Sequence, residues 1–251
     1  MITNSESGTK IDEVASGIYR ITTPFPDLLP GGFSFNQYLV VDDQPLLFHT
    51  GLRRMFPLVR EAIEAVIPVT RLRYVGLSHF EADECGAMNE FLAVAPSAQP
   101  LASALGTMVS VNDVADRPGR GLADGEGLST GAHRLEWIYT PHVPHGWDCG
   151  VLFDHTTQTL LCGDLFTQGG ADRPPVTAQE VLGPSERFRK PLDYFAHSVG
   201  TSAILEKLAA LGPTTLACMH GSAFRGDGAA LLRGLSGILE GEAQTGGSQT
   251  A

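Results

Sequence analysis

Apolar residues in the first third of the chain fall in short runs broken by turn residues. Residues 18–22 make a brief β run, followed by a loop carrying Gly31 and Gly32. Residues 37–41 and 46–49 predict two strands around Asp42-Asp43-Gln44-Pro45, a hairpin by composition. Between 56 and 66 the pattern changes: Phe56, Val59, Ile63 and Val66 recur at helical spacing, with Arg60, Glu61 and Glu64 between them. Residues 73–77 read as a strand running straight into Ser78-His79-Phe80-Glu81-Ala82-Asp83, and 86–94 as a helix.

The segment 116–131 is rich in glycine and charge with little apolar periodicity. It reads as a surface excursion within one domain, since neither side closes a core alone. Strands resume at 133–139, 149–154 and 159–162. Residues 173–189, polar and proline-containing, read as a loop with a short helix. Helical spacing returns at 194–211 and 229–239, with a strand at 214–218 between them. Residues 1–14 are expected as an N-terminal extension, 15–240 as a single domain, and 241–251, made largely of Gly, Ser, Thr and Gln, as a disordered tail. Strand hairpins interleaved with helices predict mixed sheets covered by helices rather than a doubly wound parallel sheet.

Composition narrows the function classes. A chain of 251 residues with 43% hydrophobic and 18% charged residues has the make-up of a globular domain. Its formal charge of −11, with 17 Lys and Arg and no basic stripe, argues against a nucleic-acid partner. No apolar run is long enough to span a membrane, and residues 1–10 lack the apolar stretch of a secretory signal. The cysteines Cys85, Cys149, Cys162 and Cys218 are widely spaced and form no CxxC pair, which fits core thiols in a reduced, cytoplasmic setting.

Candidate chemistry sits where predicted strands end. His79, Glu81 and Asp83 alternate, so an extended segment would point all three the same way. An imidazole and two carboxylates converging on one point are poorly tolerated without a cation. His142 and His145 lie in Thr140-Pro141-His142-Val143-Pro144-His145-Gly146, Asp164 in Leu161-Cys162-Gly163-Asp164-Leu165-Phe166, and His220 in Ala217-Cys218-Met219-His220-Gly221. Each has a plain structural reading, such as a turn cap at Asp164. Together, four strand-end features delivering ligands to one rim predict a dinuclear metal site.

The order HxExD, then His, then Asp, then His-Gly resembles the metallo-β-lactamase superfamily. Glu81, where hydrolases of that superfamily carry a second His, resembles its diiron branch, the flavodiiron and oxygen-binding diiron proteins. The intervals of 61 residues from Asp83 to His145, 18 from His145 to Asp164 and 55 from Asp164 to His220 are similar to the family's, and the second favours His145 over His142. Asn36-Gln37-Tyr38-Leu39-Val40 and Gly163-Asp164-Leu165-Phe166 add to the match.

The resemblance implies an αββα four-layer sandwich with two mixed sheets. It implies His79, Glu81 and His145 on one metal, Asp83 and His220 on the other, and Asp164 as the bridge. Two iron ions are favoured over two zinc ions, because a carboxylate in place of an imidazole adds a hard, anionic donor. It also implies O2 or another small diatomic as ligand, for sensing or for O2 or NO reduction with a separate electron-donor protein. A homodimer is compatible with it. No phosphate-cradling loop follows the fold, so no FMN is expected. A dinuclear zinc hydrolase with metal-bound hydroxide, a diiron oxygenase on an organic substrate, and a degenerate interaction module are the competing readings.

Two positions depart from the pattern. Glu84 replaces a frequent His and is expected either as a further carboxylate ligand or pointing outward at a helix start. His49 replaces Asp and is expected behind the site or in the core. His133 and His155 read as surface residues. Tyr194, placed on one helix with His197, is a candidate pocket residue because the family carries a Tyr near its metals.

Overall fold

Along the strands Phe33–Val40 and Leu46–Phe48 consecutive side chains enter different cores. Leu39 and Leu47 pack with Val75 under one set of helices, whereas Tyr38, Val40, Leu46, Phe48 and Tyr74 pack between two sheets. The second sheet repeats this: Val151, Phe153, Leu160 and Leu216 face helices, and Trp137, Leu152, Leu161 and Ala217 face the first sheet. Strands buried on both faces read as continuous apolar runs rather than alternating ones, which is why the sequence shows runs here.

The computed structural model describes residues 1–246. The first sheet has eight strands in chain order: β1 (Ile2–Asn4), β2 (Thr9–Ala15), β3 (Ile18–Phe25), β4 (Phe33–Val40), β5 (Leu46–Phe48), β6 (Tyr74–Gly76), β7 (Gln99–Ser103) and β8 (Arg120–Leu122). Its first half is antiparallel, and β5 to β8 are parallel. Helices α1 (Phe56–Glu64), α2 (Ala82–Cys85) and α3 (Met88–Val94) lie in the crossovers, and α1 and α3 supply Val59, Ile63 and Phe91 to the outer core. A helical stretch follows β7: α4 (Ala104–Gly106), a π turn (Thr107–Val111) and α5 (Asn112–Val114). The second sheet runs β13-β15-β14-β12-β11-β10-β9, from β9 (Gly127–Ser129), β10 (Arg134–Tyr139), β11 (Gly150–Asp154), β12 (Thr159–Leu161), β13 (Val176–Thr177), β14 (Thr215–Ala217) and β15 (Ala223–Arg225). Helices α6 (Leu182–Leu192), α7 (Thr201–Ala210) and α8 (Gly228–Gly246) belong to this half, with α7 and α8 supplying Leu205, Leu208, Leu232 and Leu235 to its outer core. The result is the αββα sandwich with two mixed sheets. Among the described residues no helix is long and apolar enough to cross a membrane.

Several expectations change. Residues 2–4 and 9–14, within the expected extension, belong to the first two strands of the first sheet, with Ile11 in its core. Residues 116–131 are no detached excursion: β8 closes one sheet and β9 opens the other. Residues 241–246 of the expected tail continue α8, where Glu242 accepts hydrogen bonds from Arg189 at 2.7 and 2.8 Å; the remainder, 247–251, lies outside the described residues. The helix read from 194 begins at Thr201, because α6 ends at Asp193 in the left-handed conformation and an irregular loop follows.

Asp42, in the β4–β5 turn, ties the two sheets together. Its carboxylate accepts from the backbone N–H of Asp43, Ala132 and His133 and from the Thr130 hydroxyl, at 2.8–3.0 Å. Burial alone would raise its pKa; these bonds, led by that from His133, outweigh it and hold the group at about 2. A carboxyl depressed in the folded state stabilises above its unfolded pKa, and that contribution is lost as pH falls through the folded value. Asp42→Asn, which turns an amide donor toward these donors, is expected to lower Tm by a few degrees at pH 7. Thermal melts across pH check this: the gap to wild type should hold down to about pH 4 and narrow below it.

Candidate metal centre

The C-terminal ends of four strands reach a common rim. β6 leads into the segment with His79 and Glu81, β10 into the turn with His145, β12 into Gly163-Asp164, and β14 into the segment with His220. Gly163 has φ +53°, and a Cβ there would lie 2.8 Å from Ser78 Oγ, so the approach of β12 to the His79 segment requires glycine.

Nε2 of His79 lies 2.8 Å from Glu81 Oε2 and 2.9 Å from His145 Nε2. His145 Nε2 is 3.2 Å from Glu81 Oε2 and 3.3 Å from Asp164 Oδ2. On the other side, His220 Nε2 is 3.2 Å from Asp164 Oδ1 and 3.4 Å from Asp83 Oδ2. Metal–ligand bonds of about 2.1 Å place neighbouring donor atoms about 3.0–3.4 Å apart for right-angled to tetrahedral coordination. Four of these six distances fall in that range, and the two from His79 Nε2, at 2.8 and 2.9 Å, lie just below it. One oxygen of Asp164 faces the His79, Glu81 and His145 group, and the other faces His220 beside Asp83.

The surroundings aim these donors. His220 Nδ1 is 2.9 Å from the Ser34 carbonyl, a bond that makes Nδ1 the protonated nitrogen and leaves the Nε2 lone pair facing the rim. Phe33 and Phe35 pack against its ring at 4.4 and 5.3 Å. Asn36 Nδ2 donates to the carbonyls of Cys218 and Gly221, and Tyr38 Oη to Cys218, so β4 of the first sheet holds the backbone on both sides of His220. The Asn36-to-Val40 motif thus acts through its first and third residues, roles that spacing alone did not reveal.

Glu84 is neither a ligand nor outward-facing, contrary to both expectations. It is fully buried behind His79, where its carboxylate accepts from the backbone N–H of Ser78 and His79 at 2.7 and 2.9 Å. Its Oε1 lies 3.1 Å from His79 Nδ1, so it orients the imidazole with Nε2 toward the rim. Its consumption by three local donors (the third is the Ser78 hydroxyl) removes it from the ligand set. His49 is buried with Nε2 3.5 Å from Glu84 Oε2, behind the site. The segment after Glu81 does not stay extended: it turns helical at Ala82, and Asp83 reaches the rim from the first turn of α2.

Of the remaining candidates, the other histidines lie apart from the centre and Tyr194 lies against it. His142 is exposed with φ +66°, while its neighbour His145 joins the cluster. His133, expected at the surface, is buried against Asp154 at 2.8 Å, because the Asp42 turn folds over it. His155 is paired with Glu136 at 2.6 Å. His197 lies in the loop after α6 rather than on a helix, paired with Asp193 at 2.7 Å. Tyr194, in the same loop, donates from Oη to the Asp164 carbonyl at 3.2 Å, and its ring meets that of His145 edge-on at 5.8 Å. All four cysteines are buried and free.

Electrostatics show what the rim demands. Hydrogen bonds to His145 and His79 hold the Glu81 carboxyl well below the ordinary range. Burial opposes charge on His220, yet the adjacent Asp164 and Asp83 carboxylates outweigh it and raise its pKa to about 10. Burial likewise opposes charge on His79, where Glu84 leads the groups that raise it. Above the rim opens a cavity of about 390 Å³, with Leu28, Leu29, Phe33, Phe188, Leu192 and Tyr194 as walls and Glu81, Asp83, His145, Asp164 and His220 in its lining.

A fold of two mixed sheets with strand-end His, Glu and Asp donors defines a metallo-β-lactamase-type protein. The model of the ODP family beta lactamase matches residues 33–221, and the chain belongs to that family. Among curated proteins, it is 28% identical over 208 residues to the rubredoxin-oxygen oxidoreductase of Megalodesulfovibrio gigas, covering 79% of this chain and 51% of that protein. It is 26% identical over 140 residues to the diflavin flavoprotein A 1 of Synechocystis sp., covering 55% of this chain and 24% of the relative. The chain therefore spans from about a quarter to half of such relatives' length. The structure of rubredoxin oxygen:oxidoreductase from Desulfovibrio gigas superposes with a TM-score of 0.79 at 23% identity, over 92% of this chain and 62% of that one. A flavo di-iron protein variant from Thermotoga maritima gives 0.81 at 18% identity, over 93% and 62%. These likenesses are to the fold.

Two outcomes test the assignments, both read by metal analysis of purified protein. His145→Ala is expected to lose about half or more of the bound metal, and His142→Ala to keep it; the reverse pattern would shift the ligand by one histidine. Glu84→Gln is expected to weaken metal binding about 10- to 100-fold although it touches no donor position. Unchanged affinity would mean that His79 is oriented without it.

Proposed function

We propose that the centre holds two metal ions, iron in preference to zinc, and that the protein binds O2 or NO there and reduces it with electrons from a separate donor protein. The observation that carries the reading is Asp164, whose two carboxylate oxygens face separate donor groups at 3.3 and 3.2 Å. Glu81, Asp83 and Asp164 supply hard anionic donors, which favour iron, including its oxidised states, over an all-imidazole zinc site. The names of the relatives, a rubredoxin-oxygen oxidoreductase and flavo di-iron proteins, support the same chemistry.

In this reading His79, Glu81 and His145 hold one ion, Asp83 and His220 the other, and Asp164 spans both. Bound iron would supply the redox change and an open position for a diatomic ligand. The chain's own residues shape that position. Apolar side chains surround the open position, and Tyr194 fixes the Asp164 backbone while its ring buttresses His145. Without an engaged donor, the same binding step serves sensing. The cavity size favours one further reading: about 390 Å³ with apolar walls exceeds what a diatomic needs and suits a diiron oxygenase acting on an apolar organic substrate.

The test is metal analysis and an optical spectrum of protein purified without oxygen from iron-replete cells, before and after air. About two irons per chain and an absorbance change on exposure are expected. Two zinc ions with no iron would overturn the proposal in favour of a dinuclear zinc hydrolase.

A further inference from the structure

Away from the metals, Arg20 projects from β3 into a cavity of about 310 Å³ between β2, β3 and the loop 171–175. Its guanidinium is 2% exposed and, among the described residues, makes no ion pair. Asp12, its cross-strand neighbour, is engaged by the Met1 amino group at 2.7 Å. Of the five N–H donors that arginine carries, one bonds the Gly221 carbonyl, from Nη2 at 2.6 Å, while Nε is buried with no partner. A guanidinium buried this way, with donors unspent and opposite an Asp12 carboxylate already engaged by Met1, is costly unless a further anion completes it.

The other charges in the wall do not complete it. Lys10 and Arg173 line the same cavity, and Arg187 adds a positive charge felt at Arg173. The second wall carboxylate, Asp172, is 91% exposed and paired with Lys10 at 3.2 Å. Arg173 spends its Nε on the Gly169 carbonyl and has no carboxylate partner among the described residues. In a chain of net charge −11, Arg20, Lys10, Arg173 and the Met1 amino group outnumber Asp12 and Asp172 around this cleft.

We propose that the cavity binds a small oxyanion, its phosphate or carboxylate group seated on the Arg20 fork and flanked by Lys10 and Arg173. A planar guanidinium fork suits two oxygens of such a group. The site is joined to the metal centre through backbone: Arg20 and Asn36 donate to the same Gly221 carbonyl, one residue beyond His220.

The test titrates inorganic phosphate, and in parallel succinate, into the metal-loaded protein at constant ionic strength, read by calorimetry. Saturable binding is expected, weakened about tenfold in Arg173→Gln and in Lys10→Gln, and lost in Arg20→Met. The two rim variants carry the test because Arg20 is buried and its replacement can disturb folding. His145→Ala, damaged only at the metal rim, should retain the binding. The tighter of the two anions identifies which oxyanion the site prefers. Absence of saturable binding for both, binding unchanged by the rim variants, or binding abolished by His145→Ala would each overturn the proposal.

Discussion

Glu81, Asp83 and Asp164 crowd one rim of the sandwich with Glu84 buried behind it, and among the described residues no lysine or arginine pairs with any of them. Three carboxylates at the rim, with a fourth behind it, repel strongly in a partly buried, poorly screened place. Only the histidines stand among them, and the local field drives His79 and His220 toward protonation. Cations coordinated by those same side chains meet the demand better, since every donor atom then has a positive partner at bonding distance. The divided orientation of Asp164 turns this general need for positive charge into a need at two points.

That arrangement places demands on the fold. The donors arrive on strand ends from both sheets, so the sheets must be held in register where they meet. Asn36 and Tyr38 hold the His220 backbone from β4, and Asp42 clamps the far turn of the same hairpin onto residues 130–133. Glu84 contributes from behind, fixing His79 through two backbone amides and the imidazole Nδ1. Burying Glu84 without a metal or a cationic side chain is tolerable because its oxygens are saturated by local donors, which is the condition for keeping any buried carboxylate.

Legibility in the sequence followed physical scale. Strands buried on both faces announce themselves as apolar runs, so the hairpin at 37–49 and the strands ending at Gly76, Leu161 and Ala217 were readable, as was the alternating strand ending at Tyr139, and with them the positions of the donors. The strands at 2–4 and 9–15 were not, because this end of the sheet alternates with solvent and carries Asn, Thr and Lys. Residues 116–131 look like a loop in isolation and become strands only by pairing with sheets built elsewhere. Glu84 was misread because its partners, the amides of Ser78 and His79, appear only when the chain turns helical at Ala82. Tyr194 was found near the rim, but on a loop: the left-handed Asp193 that ends α6 leaves no trace in apolar periodicity.

The account depends most on Asp164 joining two donor groups into one centre. The direct measurement is metal content and Tm of Asp164→Ala beside His145→Ala and His220→Ala, prepared identically. With two ions bound as proposed, removing Asp164 would take an anionic donor from each and leave their repulsion less compensated, and metal-site free energy is in part folding free energy. The account predicts that Asp164→Ala retains the least metal and melts lowest of the three. An Asp164→Ala protein that keeps both metals and the wild-type Tm would contradict it.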